Sequence, residues 1–327
     1  MNTKHNLCLK SVAIVPLCLL AWPALADIDP LPQLPPVATY VQPAATEDFV
    51  ICTGGSGGAY FKAASLIAGF VEAYTSQPES RVTLGDVSPV PGGGTYGCLT
   101  QLALGEADAA VIQSDGRAIL AQMDSDLMGT LDFGGALLTE EILTFCSRKT
   151  NVEDFGGIGE TSGATIMVAG GTVSGTNVML NVIAGFDSDF ASPTYIYAAD
   201  LDEALDEVAN DEADCAIAVM DINSPAVAAA DVKYGDRVRL VGSWDANYRD
   251  LNYRDQQVYG WRAIPENTPG VQHFLDWDGD NGRGTWSPEV VTQSAVVVYR
   301  EGMSDDLVQI LKDAVAQVAR LKDDVQD

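Results

Sequence analysis

Two glycine-rich stretches hold the residues best suited to chemistry: TGGSGGAY at 53–60 and TVSGTN at 172–177. If each opens a helix, it offers unpaired backbone N–H groups and a partial positive charge, which favour an anion. Glycine also lets a ligand approach the backbone closely. On the first stretch the candidates are Thr53, Ser56, Gly57, Gly58 and Tyr60; on the second they are Ser174, Gly175, Thr176 and Asn177. Gln113, Ser114, Asp115 and Asp221 follow apolar runs of strand type, where α/β sheets form their ligand sites.

Three further patterns suggest other chemistries. Residues 54–58 match G-x-S-x-G, the nucleophile elbow of hydrolases, and His273 follows in the expected order. The elbow comes unusually early, however, and the second stretch repeats the turn without the motif. Residues 92–97 match G-x-G-x-x-G, but Pro89 and Pro91 precede it and no strand leads in, so a flexible loop at a cleft mouth is the reading. Asp276, Asp278 and Asp280 alternate as at the start of a calcium loop. Asn281 stands where the turn glycine belongs and Ser287 where the glutamate does, so an acidic surface turn competes with a structural calcium site. No other cofactor is expected.

Self-similarity shows what positions these residues. Segments 54–70 and 170–186 have equal length, start with Gly-Gly after an apolar run, and end in Ile-Ala-Gly-Phe. Glu106-Ala107-Asp108 runs into an apolar strand ending at Asp115, and Glu212-Ala213-Asp214 runs into one ending at Asp221. Residues 49–52 and 164–168 read as buried parallel strands, followed by helices with apolar residues at helical spacing. Asp200 and Ser304 are placed to cap later helices. Strands alternating with helices predict an α/β fold, and two copies predict two lobes with a cleft between them. The expected division is 48–145 plus 255–327 for lobe one and 146–254 for lobe two.

Residues 1–26 read as a secretory signal: Lys4 and Lys10, an apolar stretch from 11 to 22 too short to span a bilayer, and Ala24-Leu25-Ala26 as cleavage site. Residues 27–47, with five prolines, read as an extended tether. Removing the leader takes Cys8 and Cys18 and leaves Cys52, Cys98, Cys146 and Cys215. Three pairings are open to them, with Cys52–Cys98 favoured because both fall in one half; four free thiols are the alternative. Asp+Glu 46 against Lys+Arg 18 gives a net charge of −28, which excludes nucleic acid and anionic membranes as charge-driven partners. His273 is the single histidine after the leader, so mechanisms needing a histidine pair are excluded.

TGGSGGAYF (53–61), LALGEADAAVIQSD (102–115) and MVAGGTVSGTN (167–177) together resemble the TAXI-type solute receptors of TRAP transporters. EADCAIAVMDINSPAV (212–227) and TQSAVVVYREGMSDDLVQILKDAV (292–315) fit more loosely. The resemblance implies a periplasmic binding protein of type II topology. It implies capture of a small organic anion, glutamate- or dicarboxylate-like, for inner-membrane permease subunits. Thr53, Ser56, Gly57, Gly58 and Tyr60 would line one side with Gln113, Ser114 and Asp115, and Ser174, Gly175 and Thr176 would close from the other. Cys52 and Lys62 depart from the family pattern. The expectation is a monomeric, non-enzymatic periplasmic receptor. The alternatives are a serine hydrolase using Ser56 with His273, or a binding protein of the same fold serving another transporter or a sensor. Because the chain is so acidic, long-range charge opposes capture of an anion. On-rates for an anionic ligand therefore rise with ionic strength in stopped-flow measurements; a fall would show a positive cleft.

Overall fold

The computed structural model describes residues 28–36, 38–39, 41, 47–56, 58–120, 128–132, 139–243, 251–253, 256–275 and 288–321. The leader and the aspartates at 276, 278 and 280 lie outside the described residues, as does Gly57. In chain order the first half comprises β1 (Phe49–Thr53), α1 (Ala59–Thr75), β2 (Val87–Pro91), α2 (Thr95–Leu104), β3 (Ala109–Gln113), α3 (Gly116–Leu120) and β4 (Met128–Asp132). The second comprises β5 (Thr139–Ser147), α4 (Gly156–Glu160), β6 (Thr165–Ala169), α5 (Gly175–Phe186), β7 (Thr194–Ala198), α6 (Leu201–Ala209), β8 (Cys215–Met220), α7 (Pro225–Tyr234) and β9 (Val238–Val241). Then follow β10 (Asn252–Tyr253), β11 (Gln256–Gln257), β12 (Tyr259–Ala263), α8 (Gln272–Leu275), β13 (Glu289–Arg300) and α9 (Asp305–Arg320).

The fold is α/β with two echoing halves. In the first, β1 pairs in parallel with β2 and β3, and β13 runs antiparallel between β3 and β4. In the second, β6 pairs in parallel with β7 and β8, and β5 runs antiparallel between β8 and β9. Both halves thus have the strand order 2-1-3-n-4, with a strand from the other end of the half inserted. That order is the type II topology which the sequence resemblance implies. The pairs β1/β6 and α1/α5 are the glycine-turn echo, and β3/β8 are the second echo. β5 and β13 also pair with each other, Thr292 against Glu141 and Ser294 against Thr139, so they cross between the halves. β12 and the first part of β13 pair within the second sheet, which therefore draws on residues beyond 254.

Burial follows the apolar pattern. The strand β1 (FVICT) has almost no exposed residue, and α1 turns Ala63, Ala64, Ile67, Ala68 and Val71 inward at helical spacing. α9 covers the same face of the first sheet with Leu307, Leu311, Val315 and Val318. Ser304 caps it by accepting from the Leu307 N–H, and Asp200 caps α6 through Glu203 N–H, as the sequence indicates. α2 and α5 meet across the halves: Val178 and Val182 share one core with Tyr96, Leu99 and Ala103.

Two sequence expectations are corrected. Segment 92–97 is a tight strand-to-helix turn rather than a flexible loop, because β2 leads directly into it. Pro89 and Pro91 are tolerated there because β2 lies at the sheet edge. Gly92 is required because a Cβ would sit 2.0 Å from Cys52 Sγ, and Gly97 because one would sit 1.8 Å from the Gly92 carbonyl oxygen. The glycine spacing thus serves packing. The proline-rich segment is also no free tether: residues 28–36 and Ala38 are docked on the protein, with Ile28 buried.

Cys52 is bonded to Cys98, the pairing the sequence favours, and Cys146 to Cys215, its register partner across β5 and β8. The alternative of four free thiols is overturned. The first bridge closes a sequence separation of 46 residues. Replacing Cys52 and Cys98 together by Ala lowers the unfolding free energy by about 3–4 kcal/mol through restored chain entropy, measured by calorimetry.

Candidate functional site

The second glycine turn packs against the end of β3, where Gln113 shares Glu140 Oε2 with Tyr60 at the start of α1. Gly175 opens α5 so close to Gln113 at the end of β3 that a Cβ there would lie 2.1 Å from Gln113 Nε2. Gly94, before α2, would place a Cβ 3.6 Å from the Val173 carbonyl oxygen. The seam between the halves is therefore built from the residues that the sequence singles out. Thr53, Gln113, Ser114, Asp115, Thr176 and Asn177 are all buried along it.

Their roles differ. No side chain caps α1, which starts after Gly58, so the first-lobe turn retains helix-end donors. Thr53 Oγ1 is buried without a hydrogen-bond partner. Ser56 is exposed on the turn. The Tyr60 hydroxyl donates to Glu140 Oε2 at 2.9 Å. Gln113 Nε2 donates to the same oxygen at 3.2 Å, while Thr95 Oγ1 donates to Gln113 Oε1 at 3.3 Å. Ser114 Oγ donates to the Val258 carbonyl at 2.8 Å. Asp115 Oδ2 accepts from Tyr259 at 3.4 Å, and its Oδ1 is buried without a partner.

The second-lobe turn is occupied by its own structure. Ser174 caps α5 through Asn177 N–H, and Thr176 Oγ1 accepts from Val219 N–H at 3.1 Å. All four hydrogen-bonding positions of the Asn177 amide are taken: Nδ2 donates to the Thr172 and Asp29 carbonyls, and Oδ1 accepts from Tyr197 and Asn181. Asp221 Oδ1 accepts from Asn223 in a local turn. Arg148 is bound to the Gly235 and His273 carbonyls, away from the seam.

Three residues of the seam escaped the sequence reading: Glu140, Tyr259 and Gln293. Gln293 lies in register between Tyr259 and Glu140, which sets their side chains on one face. Its amide is 1% exposed, and neither of its polar atoms has a hydrogen-bond partner. Glu141 pairs with Arg262 at 2.8 Å and accepts from Ile222 N–H at 2.8 Å. The available signal was a polar interruption: Thr139-Glu140-Glu141 opens an apolar strand, and Thr292-Gln293-Ser294 breaks one.

The electrostatics of the seam are acidic. Burial raises Asp115 to about 7 against the hydrogen bond from Tyr259, with repulsion from Glu140 adding to it. Burial likewise raises Glu140 to about 7, although Tyr60 and Gln113 stabilise its charge. Tyr60 is pushed well above the usual phenol range by burial and by the Glu140 charge. The seam can thus offer backbone donors at α1 and carboxylate acceptors at Glu140 and Asp115. Among the described residues no group of three or more His, Cys, Asp or Glu could hold a metal ion.

His273 Nδ1 lies 2.9 Å from Asp231 Oδ2 on α7 of the second half, whereas Ser56 sits on the first-half turn.

No protein-family model matches the chain, and no curated protein does. Among solved structures it is similar to XAC2383 from Xanthomonas citri bound to ATP, with 12% identity, TM-score 0.48, and 85% of this chain and 88% of that one covered. It is similar to the substrate-binding protein of an amino acid ABC transporter, with 11% identity, TM-score 0.43, and coverage of 85% and 96%. It also resembles the B. pertussis BvgS periplasmic domain, with 10% identity, TM-score 0.44 and 86% of this chain covered, but it spans only 42% of that domain. These likenesses identify neither ligand nor partner. No described helix is long and apolar enough to cross a membrane.

Asp115 and Glu140 bind protons more tightly in the folded than in the unfolded chain, so stability falls as pH rises from about 4 to 7. Calorimetry across that window shows the melting temperature declining. Glu140→Gln flattens the decline and melts above wild type once the pH exceeds about 7. Identical slopes would refute this assignment.

Proposed function

We propose that the chain is a periplasmic solute receptor that holds one small carboxylate-bearing metabolite between its lobes for a TRAP-type permease. The observation that carries this reading is the meeting of the Gly175 turn with Gln113, which in turn shares Glu140 with Tyr60 at the start of α1. The permease class rests on the TAXI-like motifs at 53–61, 102–115 and 167–177. Periplasmic location is supported by the leader pattern and by two disulfides, which persist in oxidising compartments.

The ligand's carboxylate meets the uncapped start of α1 beside Thr53 and Ser56. Glu140 and Asp115 require positive charge at the other end, so a glutamate-like zwitterion suits the seam better than a plain dicarboxylate. Ligand and lobe closure are linked because contacts to both halves exist only in the closed arrangement.

A matched pair tests this reading. By thermal shift and calorimetry, L-glutamate-like amino acids stabilise the protein, while glutarate, which has the carboxylates and no amine, does so far less. Ser56→Ala weakens binding by about 3- to 10-fold, the loss of one hydrogen bond. Stabilisation by no amino acid and no dicarboxylate would overturn the receptor reading, and labelling of Ser56 by a fluorophosphonate would favour the hydrolase.

A further inference from the structure

The proline-rich segment from Ile28 to Ala38 touches both lobes. At its start, Ile28 is 2% exposed and joins the second-lobe cluster that holds Met179, Leu180 and Tyr195. The Asp29 N–H donates to Tyr197 Oη at 2.8 Å, and that hydroxyl donates onward to Asn177 Oδ1 at 2.8 Å. The Asp29 carbonyl accepts from the Asn177 and Asn181 side-chain amides, each at 3.2 Å. A few residues later the segment is on the first lobe. The Tyr96 hydroxyl on α2 donates to the Pro32 carbonyl, and Leu31 and Leu34 pack on the cluster of Leu99, Leu102 and Ala103. The Ala38 N–H donates to the Ala103 carbonyl at 2.8 Å, and the Arg300 guanidinium donates to the Ala38 carbonyl.

Composition suits the crossing. Pro30, Pro32, Pro35 and Pro36 fix an extended backbone and remove N–H groups that would otherwise need partners. The anchors also sit where lobe motion is felt. Asn177 lies in the first turn of α5, next to the Gly175 that faces Gln113, and Tyr96 lies in the first turn of α2, which packs against α5.

We propose that this segment is an interlobe strap that holds the lobes together, and that the cleft opens when its Ile28 and Asp29 end leaves the second lobe. That end is the one to release because its three hydrogen bonds among the described residues converge on the single residue Asp29, so one displacement breaks them together. The other end has two half-buried apolar side chains and three hydrogen bonds spread over Pro32 and Ala38. Opening without release would stretch a segment fixed on both sides. Strap docking and closure therefore favour each other reciprocally. The inference goes beyond the receptor reading and does not depend on the ligand's identity.

Hydrogen exchange on the full chain, with no ligand added, tests it. The Asp29 and Ala38 amides are both protected, Asp29 less than Ala38. Ile28→Asp speeds exchange at Asp29 by about tenfold or more and leaves Ala38 protected. Small-angle scattering of Ile28→Asp, and of a variant lacking residues 28–36, gives a larger radius of gyration than wild type with unchanged far-ultraviolet dichroism. Exchange of the wild-type Asp29 amide at the rate of an unstructured peptide would overturn the strap. So would an unchanged radius in the folded deletion variant. The wild-type measurement needs no substitution and stands whether or not a variant folds.

Discussion

The pairing of β5 with β13 is the constraint on which the rest depends. Each half inserts a strand from elsewhere in the chain, and these two strands meet over Thr139 to Glu141 and Thr292 to Ser294. A hydrogen-bonded ladder resists sliding but can twist, so it joins two α/β units while allowing them to rotate. It also puts polar side chains at the crossing. Glu140 and Gln293 are register partners there, and Glu140 is the group that Tyr60 and Gln113 both reach. A ligand that touches Glu140 therefore acts on the joint itself, and binding and closure share one set of atoms.

That joint also limits what the seam can hold. A helix start carries roughly half a positive charge, and only the first turn of each helix contributes. Two ionised carboxylates outweigh two such ends. On a chain of net charge −28 the surface field adds to the same side. The raised values of Asp115 and Glu140 express this conflict, since burial without a cation is relieved by taking up a proton. An ammonium group relieves it equally, and a second carboxylate on the ligand makes it worse.

Much of the fold was legible because its signal is local. Repeated glycine turns, all-apolar strands such as β1 and capped amphipathic helices such as α9 state their structure within a few residues. What escaped is non-local. Glu140 is 80 residues from Tyr60, and Tyr259 is 144 from Asp115, so the local sequence gives neither Glu140 nor Tyr259 its partner. The turn at 92–97 was misread because Gly92 answers to Cys52, a contact made by folding, and Gly97 to the Gly92 carbonyl. The proline-rich segment was misread because its composition fits a free linker; its partners, Asn177, Tyr197 and Tyr96, lie far along the chain. Cys52–Cys98 was legible only because both cysteines fell in one lobe.

The two copies of the repeat have divided the work unequally. At the first-lobe turn α1 begins without a side-chain cap, and the nearby Thr53 hydroxyl has no hydrogen-bond partner. At the second-lobe turn Ser174 caps α5, Thr176 holds β8, and Asn177 is saturated by its own loop and by the docked segment. A symmetric ancestor would present donors from both turns. Here the first turn leaves its helix start uncapped, and the second uses its polar groups to fix its own shape. On the proposed receptor reading, affinity would reside mainly in lobe one and at the crossing strands. Lobe two packs against lobe one through Gly175 against Gln113 and through Val178 and Val182 against α2. The asymmetry follows from a physical limit, since a side chain whose hydrogen-bonding positions are all filled has none left for a ligand.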